Sequence, residues 1–302
     1  MTTEEARQVR SEDHPGGTRA ASMGVLLACA AMGAAVLVGS GRMGARSLGS
    51  AADGVFAETG TLLAPAAPAY ALWPVLYLGL AAYAVWQALP AQQRSLRHAR
   101  LRGWAVASML LNAAWIVAAV SGALLASVVI ILALLAALVM IIATVAEACP
   151  SGRIDRLLID GVFGLYLGWI MAMVLANTSS WLVFIGIGAG EPSSTATAWS
   201  VGAICGLVVA SALLARASGG RAAPAAAVAW ALAWIAQGRL AGDLAAPALG
   251  LVAAAGAVVV VAAVISARCG PVRTVRPPGR ERAENLLPAR AGWLDSHRRA
   301  PS

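Results

Sequence analysis

The chain has 302 residues, of which 60% are apolar and 12% charged, and its formal net charge is +8. Soluble domains are typically about 45–50% apolar and about 25% charged, so the composition excludes an ordinary soluble protein and predicts a polytopic membrane protein. All 22 basic residues are arginines, and they lie in the polar segments between apolar stretches. That placement indicates orientation in a lipid bilayer rather than binding to nucleic acid.

Eight apolar stretches are long enough to cross a bilayer, which takes about 20 residues in a helix. They lie at about 21–40, 69–89, 103–120, 123–146, 160–185, 197–215, 223–238 and 246–267. The first is expected to be retained rather than cleaved as a signal peptide, because several acidic residues precede it. The predicted fold class is therefore all-α, a polytopic membrane helix bundle of about eight transmembrane helices. Residues 1–20 and 268–302 are predicted to be a disordered N-terminus and a basic disordered tail.

The arginines also predict which way the helices cross. Segments on one side are rich in arginine: Arg94, Arg97, Arg100, Arg102, Arg153, Arg156, Arg216 and Arg221. Segments on the opposite side carry only Arg42, Arg46 and Arg239. Because positive charge is enriched in cytoplasmic loops, both termini are predicted to be cytoplasmic and the protein to lie in the plasma membrane.

No catalytic or metal-binding set is predicted. The four cysteines are far apart, and the histidines are expected in loops or tails: His14, His98 and His297. Asp155 and Asp160 are placed at the start of the fifth span, and Glu147 at the end of the fourth. The membrane interior is thus expected to hold no ionisable residue, which argues against a coupled transporter as well as an enzyme.

Three spans each carry aromatic and amide side chains on one face, at 100° per residue. In the fifth span the face comprises Tyr166, Trp169, Met173, Asn177, Ser180 and Phe184; in the third it comprises Trp104, Ser108, Asn112 and Trp115. In the second span it comprises Tyr70, Trp73 and Tyr77, with Pro74 beside it as an expected kink. An unpaired amide in hydrocarbon is costly, so Asn177 is predicted to point into the protein.

If these faces converge, they form an apolar, sparsely polar pocket suited to a planar hydrophobic ligand. Plain packing is the alternative. Tryptophans near span ends, such as Trp104, Trp181 and Trp199, often form the interfacial belt, and the two asparagines could bond across helices. The glycine spacings Gly164/Gly168 and Gly202/Gly206 likewise indicate close helix packing.

Three of these stretches carry a family resemblance: WPVLY (Trp73 to Tyr77), LNAAW (Leu111 to Trp115) and YLGWIMAMVLAN (Tyr166 to Asn177). They resemble the motifs of the TspO/MBR family, the tryptophan-rich sensory proteins, which include the mitochondrial translocator protein or peripheral benzodiazepine receptor. The resemblance implies a five-helix unit at 21–187, three additional transmembrane helices at 188–267, and an enlarged, actinobacterial-type branch. Where the family usually has a W-P-P-type segment before the second span, this chain has TLLAPAAPAY.

By resemblance, members bind tetrapyrroles, sterols or drug-like aromatics and are linked to transport or the stress response. The ligand-binding residues carried over are Trp73, Tyr77, Asn112, Trp115, Tyr166, Trp169 and Asn177. Haem or another porphyrin is the implied ligand, with no resident cofactor, and a homodimer is compatible with the family. An uncoupled transporter or facilitator, and a structural membrane protein without ligand, are the alternative functions.

Overall fold

The computed structural model describes residues 15–41, 54, 56–146, 150–187 and 193–269, and within them the chain is helical with no β-strand. Eight long helices lie at the eight predicted positions. They are α1 (Pro15–Gly39), α2 (Leu72–Ala88), α3 (Leu96–Val120), α4 (Leu124–Ala146), α5 (Val162–Phe184), α6 (Ser194–Ala217), α7 (Ala222–Ala241) and α8 (Pro247–Cys269).

Shorter helical segments adjoin some of the eight. A 3-10 helix, Ala67–Ala71, leads into α2, and the single turn Pro90–Gln93 lies between α2 and α3. Before α5, the short helix Arg153–Asp155 and a π-helical segment, Arg156–Gly161, continue without interruption into the long helix.

Seven helices in the described residues are long and apolar enough to cross a membrane. The eighth, α7, is long enough, but Gln237 and Arg239 near its end make it more polar. Helix α7 packs against α5 and α6, and it has buried residues from Pro224 to Arg239. A multi-pass membrane bundle is thus the architecture, as predicted.

Helices α1 to α5 form a closed ring. Going round it, α1 packs on α2, α2 on α5, α5 on α4, α4 on α3, and α3 again on α1. A tight hairpin joins α3 to α4 at Ser121-Gly122, where Gly122 has a φ of +78° that other residues rarely adopt. Because consecutive helices run in opposite directions, the ring places the end of α3 beside the end of α5.

The three C-terminal helices are attached to this ring through α5. Helix α7 packs directly on α5, and α6 contacts both of them. Gly164 and Gly168 allow that approach, since a Cβ at Gly164 would lie 2.8 Å from the Ala223 side chain. On α8, a Cβ at Gly250 would lie 2.7 Å from Leu240 of α7. The other glycine spacing, Gly202/Gly206, faces open space, so only the first pair serves close packing.

Several predictions about where helices begin and end were wrong. Helix α3 begins at Leu96 instead of near 103, so Arg97, His98 and Arg102 lie in the helix and are buried rather than in a basic turn. Helix α7 extends to Ala241, which buries Arg239 as well. These polar side chains are accommodated because they find partners on neighbouring helices, which a single-helix pattern does not reveal.

Ionisable side chains are thus buried between the helices. Asp155 is 2% exposed and the side chain of His98 is 1% exposed. Pro74 produces no mid-helix break, because it lies in the first turn of α2, where backbone N–H groups have no intrahelical partner. Glu147 and Cys149 lie outside the described residues.

Candidate functional site

An aromatic group lies inside the ring, centred on Trp73 near the start of α2. Trp73 stacks on Trp115 of α3 with ring centroids 5.7 Å apart, and on Tyr77 at 5.3 Å. Trp169 of α5 meets Trp73 edge-on at 5.9 Å, and Tyr70 meets Trp169 edge-on at 6.1 Å. Offset-stacked and edge-on pairs at these separations are the favourable geometries for aromatic rings.

Asn177 of α5 ties three helices together next to this group. Its Oδ1 accepts a hydrogen bond from Trp115 Nε1 at 3.2 Å, and its Nδ2 donates to Ser127 Oγ of α4 at 3.1 Å. The prediction that this amide points into the protein is confirmed. Ser127 was missed, although a serine in the otherwise apolar first half of α4 was the signal that could have identified it.

Three buried polar side chains lie beside the aromatic group, and each is 0% exposed: Asn112, Tyr166 and Trp169. The Tyr166 hydroxyl interacts with the Asn112 amide, and beyond that contact neither side chain has a hydrogen-bond partner. Trp169 Nε1 has no partner at all. Buried polar groups are normally paired, and leaving one unpaired costs about 1–3 kcal/mol. The ring interior therefore presents donors and acceptors that a bound molecule could satisfy.

The structure brings all seven predicted ligand-binding residues into this one region, which we call the aromatic site: Trp73, Tyr77, Asn112, Trp115, Tyr166, Trp169 and Asn177. Tyr77 is partly exposed and the others are buried. Two members of the predicted faces lie elsewhere. Phe184, the last residue of α5, is 56% exposed, and Trp104, the ninth residue of α3, is 38% exposed.

Residues 58–69, which we call the pre-α2 segment, are held in place by α7. Arg239 Nη2 donates to the carbonyl oxygens of Glu58 at 2.7 Å and Ala64 at 3.2 Å. Trp230 Nε1 donates to the Ala69 carbonyl at 3.0 Å, and the Ala66 N–H donates to the Trp234 carbonyl. Tyr70 follows directly, so α7 fixes the approach to one edge of the aromatic site.

Sequence reasoning missed this role of α7. Trp230 and Trp234 lie in the predicted span at about 223–238, to which no contact was assigned, and Arg239 was placed in a loop. The signal that could have identified them was an arginine that follows two tryptophans, at five and nine residues, in an alanine-rich helix, since a charge is seldom kept inside a membrane helix without a partner.

A second opening lies on the outer side of α5. It is an apolar cleft of about 500 Å³ between the pre-α2 segment, α5 and α6. Its lining includes Leu62, Leu175, Leu182 and Trp199, the last of which is 77% exposed. None of the seven residues of the aromatic site lines this cleft.

Comparison with known proteins gives one family match. The sequence pattern of the family described as TSPO-like protein matches residues 22–266. The match continues beyond the five-helix ring through α6 and α7 and into α8. No curated protein and no solved structure matches the chain.

Proposed function

The chain belongs to the TSPO-like protein family, and we propose that it binds a planar hydrophobic ligand of the tetrapyrrole type, such as haem or another porphyrin, at the aromatic site. The observation that carries this proposal is a group of buried polar side chains, the unpaired Trp169 Nε1–H and the Asn112–Tyr166 pair, beside the stacked Trp73 and Trp115. The proposed role is sensing or transport of the ligand, without catalysis.

The physical argument rests on what each part of the site supplies. The indole rings of Trp73 and Trp115 stack on each other and are buried, and a conjugated macrocycle that entered beside them would be held by the same kind of stacking contact. Asn112 and Tyr166 offer one amide and one hydroxyl within a dry interior, where a hydrogen bond to a ligand is not weakened by competing water. A mostly apolar site with few polar groups is the usual composition of a small-molecule pocket.

The proposed orientation follows from the arginines that remain in exposed positions. Arg94, Arg153 and Arg216 are exposed and would share one side of the membrane. We propose that this side is cytoplasmic, with both termini there, in the plasma membrane. The aromatic site would then lie towards the outer half of the bundle, because Trp73 is near the start of α2 and Trp115 near the end of α3.

Porphyrin titration of the detergent-purified protein tests the proposal. Protoporphyrin should bind saturably, as followed by its absorption band and by quenching of tryptophan fluorescence. Asn112→Leu should weaken that binding by about 5- to 12-fold, since it removes a hydrogen bond worth about 1–1.5 kcal/mol in a dry site. Gln237→Leu is the matched control, because it also removes an amide but lies on α7, away from the ring interior. Absence of saturable binding, or equal losses in both variants, would contradict the proposal.

A further inference from the structure

A cluster of charged side chains joins α3, the start of the fifth span and α7 at the end of the ring opposite the aromatic site. Arg97 Nη1 lies 2.5 Å from Asp155 Oδ2, and Arg97 Nη2 lies 2.8 Å from Asp160 Oδ2. Arg221 of α7 lies 3.5 Å from Asp160 Oδ1. His98, next to Arg97, places its Nε2 3.4 Å from Asp155 Oδ1.

The π-helical segment explains how one arginine reaches both carboxylates. Asp155 and Asp160 are five residues apart, which in an α-helix would put them about 140° apart around the axis. The wider π turn bonds residue i to i+5 and so brings such a pair towards one side. Segment Arg156–Gly161 lies between the two aspartates, and π turns inside helices occur frequently at functional sites.

His98 is the side chain in this cluster that takes no part in the Arg–Asp ion pairs. Neither of its ring nitrogens has a hydrogen-bond partner, and neither has Asp155 Oδ1, although all three atoms are buried. The imidazole lies against the Tyr83 ring at 6.0 Å, with the two planes 23° apart. A buried imidazole beside an unpaired carboxylate oxygen is positioned to take up one proton and share it across that contact.

The cluster also connects His98 to the surface. Side-chain exposure falls stepwise from Arg221 at 24% to Asp160 at 14%, Arg97 at 6%, Asp155 at 2% and His98 at 1%. Each of these side chains is within 3.5 Å of the next along the series. The series thus has Arg221 at its exposed end and His98 at its buried end.

The charges facing His98 come from every side. Burial opposes the cationic form of His98 most strongly, Asp155 favours it, and Arg102 and Arg97 of the same helix oppose it. Arg102 is itself held by oxygens of Gln87 and Gln92, and Tyr83 of α2 covers the ring face. More remotely, Asp160 and Arg221 balance one another. The two positive charges of Arg97 and Arg221 equal the two negative charges of Asp155 and Asp160. A proton on His98 therefore gives the series a net charge of one.

We propose that His98 and Asp155 form a proton-binding site, which gives this protein proton exchange as a function beyond ligand binding. One proton adds to the imidazole, and Nε2–H then donates to Asp155 Oδ1; release of the same proton restores the neutral ring, and no other bond is made or broken. Buried ionisable pairs of this kind are where coupled transporters bind their protons. The site lies about 20 Å along α3 from Asn112, at 1.5 Å per residue.

Histidine NMR on the full-length protein tests this directly, because the chain has only three histidines. The sample carries labelled histidine, and His98→Gln identifies the His98 signal by its loss. We expect that signal to titrate reversibly in the folded protein between pH 4 and 10, and to titrate at a different pH in Asp155→Asn. The exposed Asp243→Asn is the control, and it should leave the titration unchanged.

Two results would overturn the proposal. One is a His98 signal whose position does not change with pH between 4 and 10, which would show that the imidazole stays in one protonation state. This result needs only the parent protein and His98→Gln. The other is an identical titration in Asp155→Asn and in the parent protein. If Asp155→Asn fails to fold, Asp155→Glu replaces it: a carboxylate moved by one methylene should still change the titration midpoint. None of these readouts uses a porphyrin, so they are independent of the proposed ligand.

Discussion

Gly168 of α5 lies so close to α7 that a Cβ built on it would stand 2.0 Å from the carbonyl oxygen of Pro224. The atom in the way belongs to the backbone and cannot rotate aside, so α5 and α7 would have to separate. This contact is the point where the C-terminal helices attach to the five-helix ring.

Gly168→Ala is therefore expected to destabilise the protein by about 1–3 kcal/mol, the usual cost of overpacking a well-packed interior. Thermal unfolding in detergent measures it. Gly206→Ala is the matched control, since a Cβ there meets nothing within 4 Å and alanine favours a helix over glycine. Equal melting temperatures for the two variants would show that the α5–α7 contact is looser than the structure indicates.

The aromatic site predicts that two tryptophans, Trp169 and Trp199, differ in their contribution to porphyrin binding. Trp169→Ala removes a ring that meets both Trp73 and Tyr70, and should weaken porphyrin binding by roughly 1–3 kcal/mol, or about 5- to 150-fold. Trp169→Phe keeps an aromatic face but loses the unpaired Nε1–H, so its loss should be smaller.

Trp199→Ala separates this site from the outer cleft. Trp199 is exposed and lines only the cleft between α5 and α6, so its removal should leave porphyrin affinity unchanged. Equilibrium titration of the three tryptophan variants side by side is the measurement. If Trp199→Ala weakened binding while Trp169→Ala did not, the ligand would occupy the cleft and not the ring.

The sequence predicted the helices and the convergence of their aromatic faces because both depend on periodicity within one helix. Asn177 illustrates this, since its burial follows from an amide on an otherwise apolar helix. Its partner Ser127 does not follow, because which helices become neighbours in the ring is a property of the whole fold. The pairing of Trp115 with Asn177 joins residues 62 positions apart.

The buried charges were missed for a related reason. Arginine-rich stretches such as the one around Arg97 usually mark a cytoplasmic loop, and the rule that assigns them takes no account of partners. Here Arg97 finds two carboxylates across a π turn, and Arg239 finds carbonyl oxygens in the pre-α2 segment. Because of these partners, two arginines expected in loops are buried in the interior. The partners lie on other parts of the chain, so they can be identified only from the packed arrangement of α3, α5 and α7.

Reporter fusions test the proposed orientation. Fusions after Ser151 and after Gly220 should report a cytoplasmic position, and a fusion after Glu191, which lies outside the described residues, should report an external one. The physical reason is the excess of arginine beside the first two positions, together with an even number of crossings. An external signal after Ser151 would mean that the orientation is inverted. The aromatic site would then lie in the cytoplasmic half of the bundle, and the charged cluster around Arg97 in the outer half.

Arg239 offers the sharpest test of how α7 acts on the pre-α2 segment. Arg239→Met keeps most of the aliphatic volume of the side chain but leaves the carbonyls of Glu58, Ala64 and Leu244 without their charged donor. Hydrogen bonds to charged groups contribute about 1.5–3 kcal/mol each, so amide exchange in residues 58–69 should accelerate at least tenfold. Exchange in α3 and α4, to which Arg239 makes no hydrogen bond, should stay as in the parent protein. Arg216→Met, at an exposed arginine in the last turn of α6, is the matched control.

Because Tyr70 and Trp73 follow the released segment, porphyrin should also dissociate faster from Arg239→Met. Unchanged exchange in residues 58–69 would mean that Trp230 and the Ala66 contact hold the segment without the arginine.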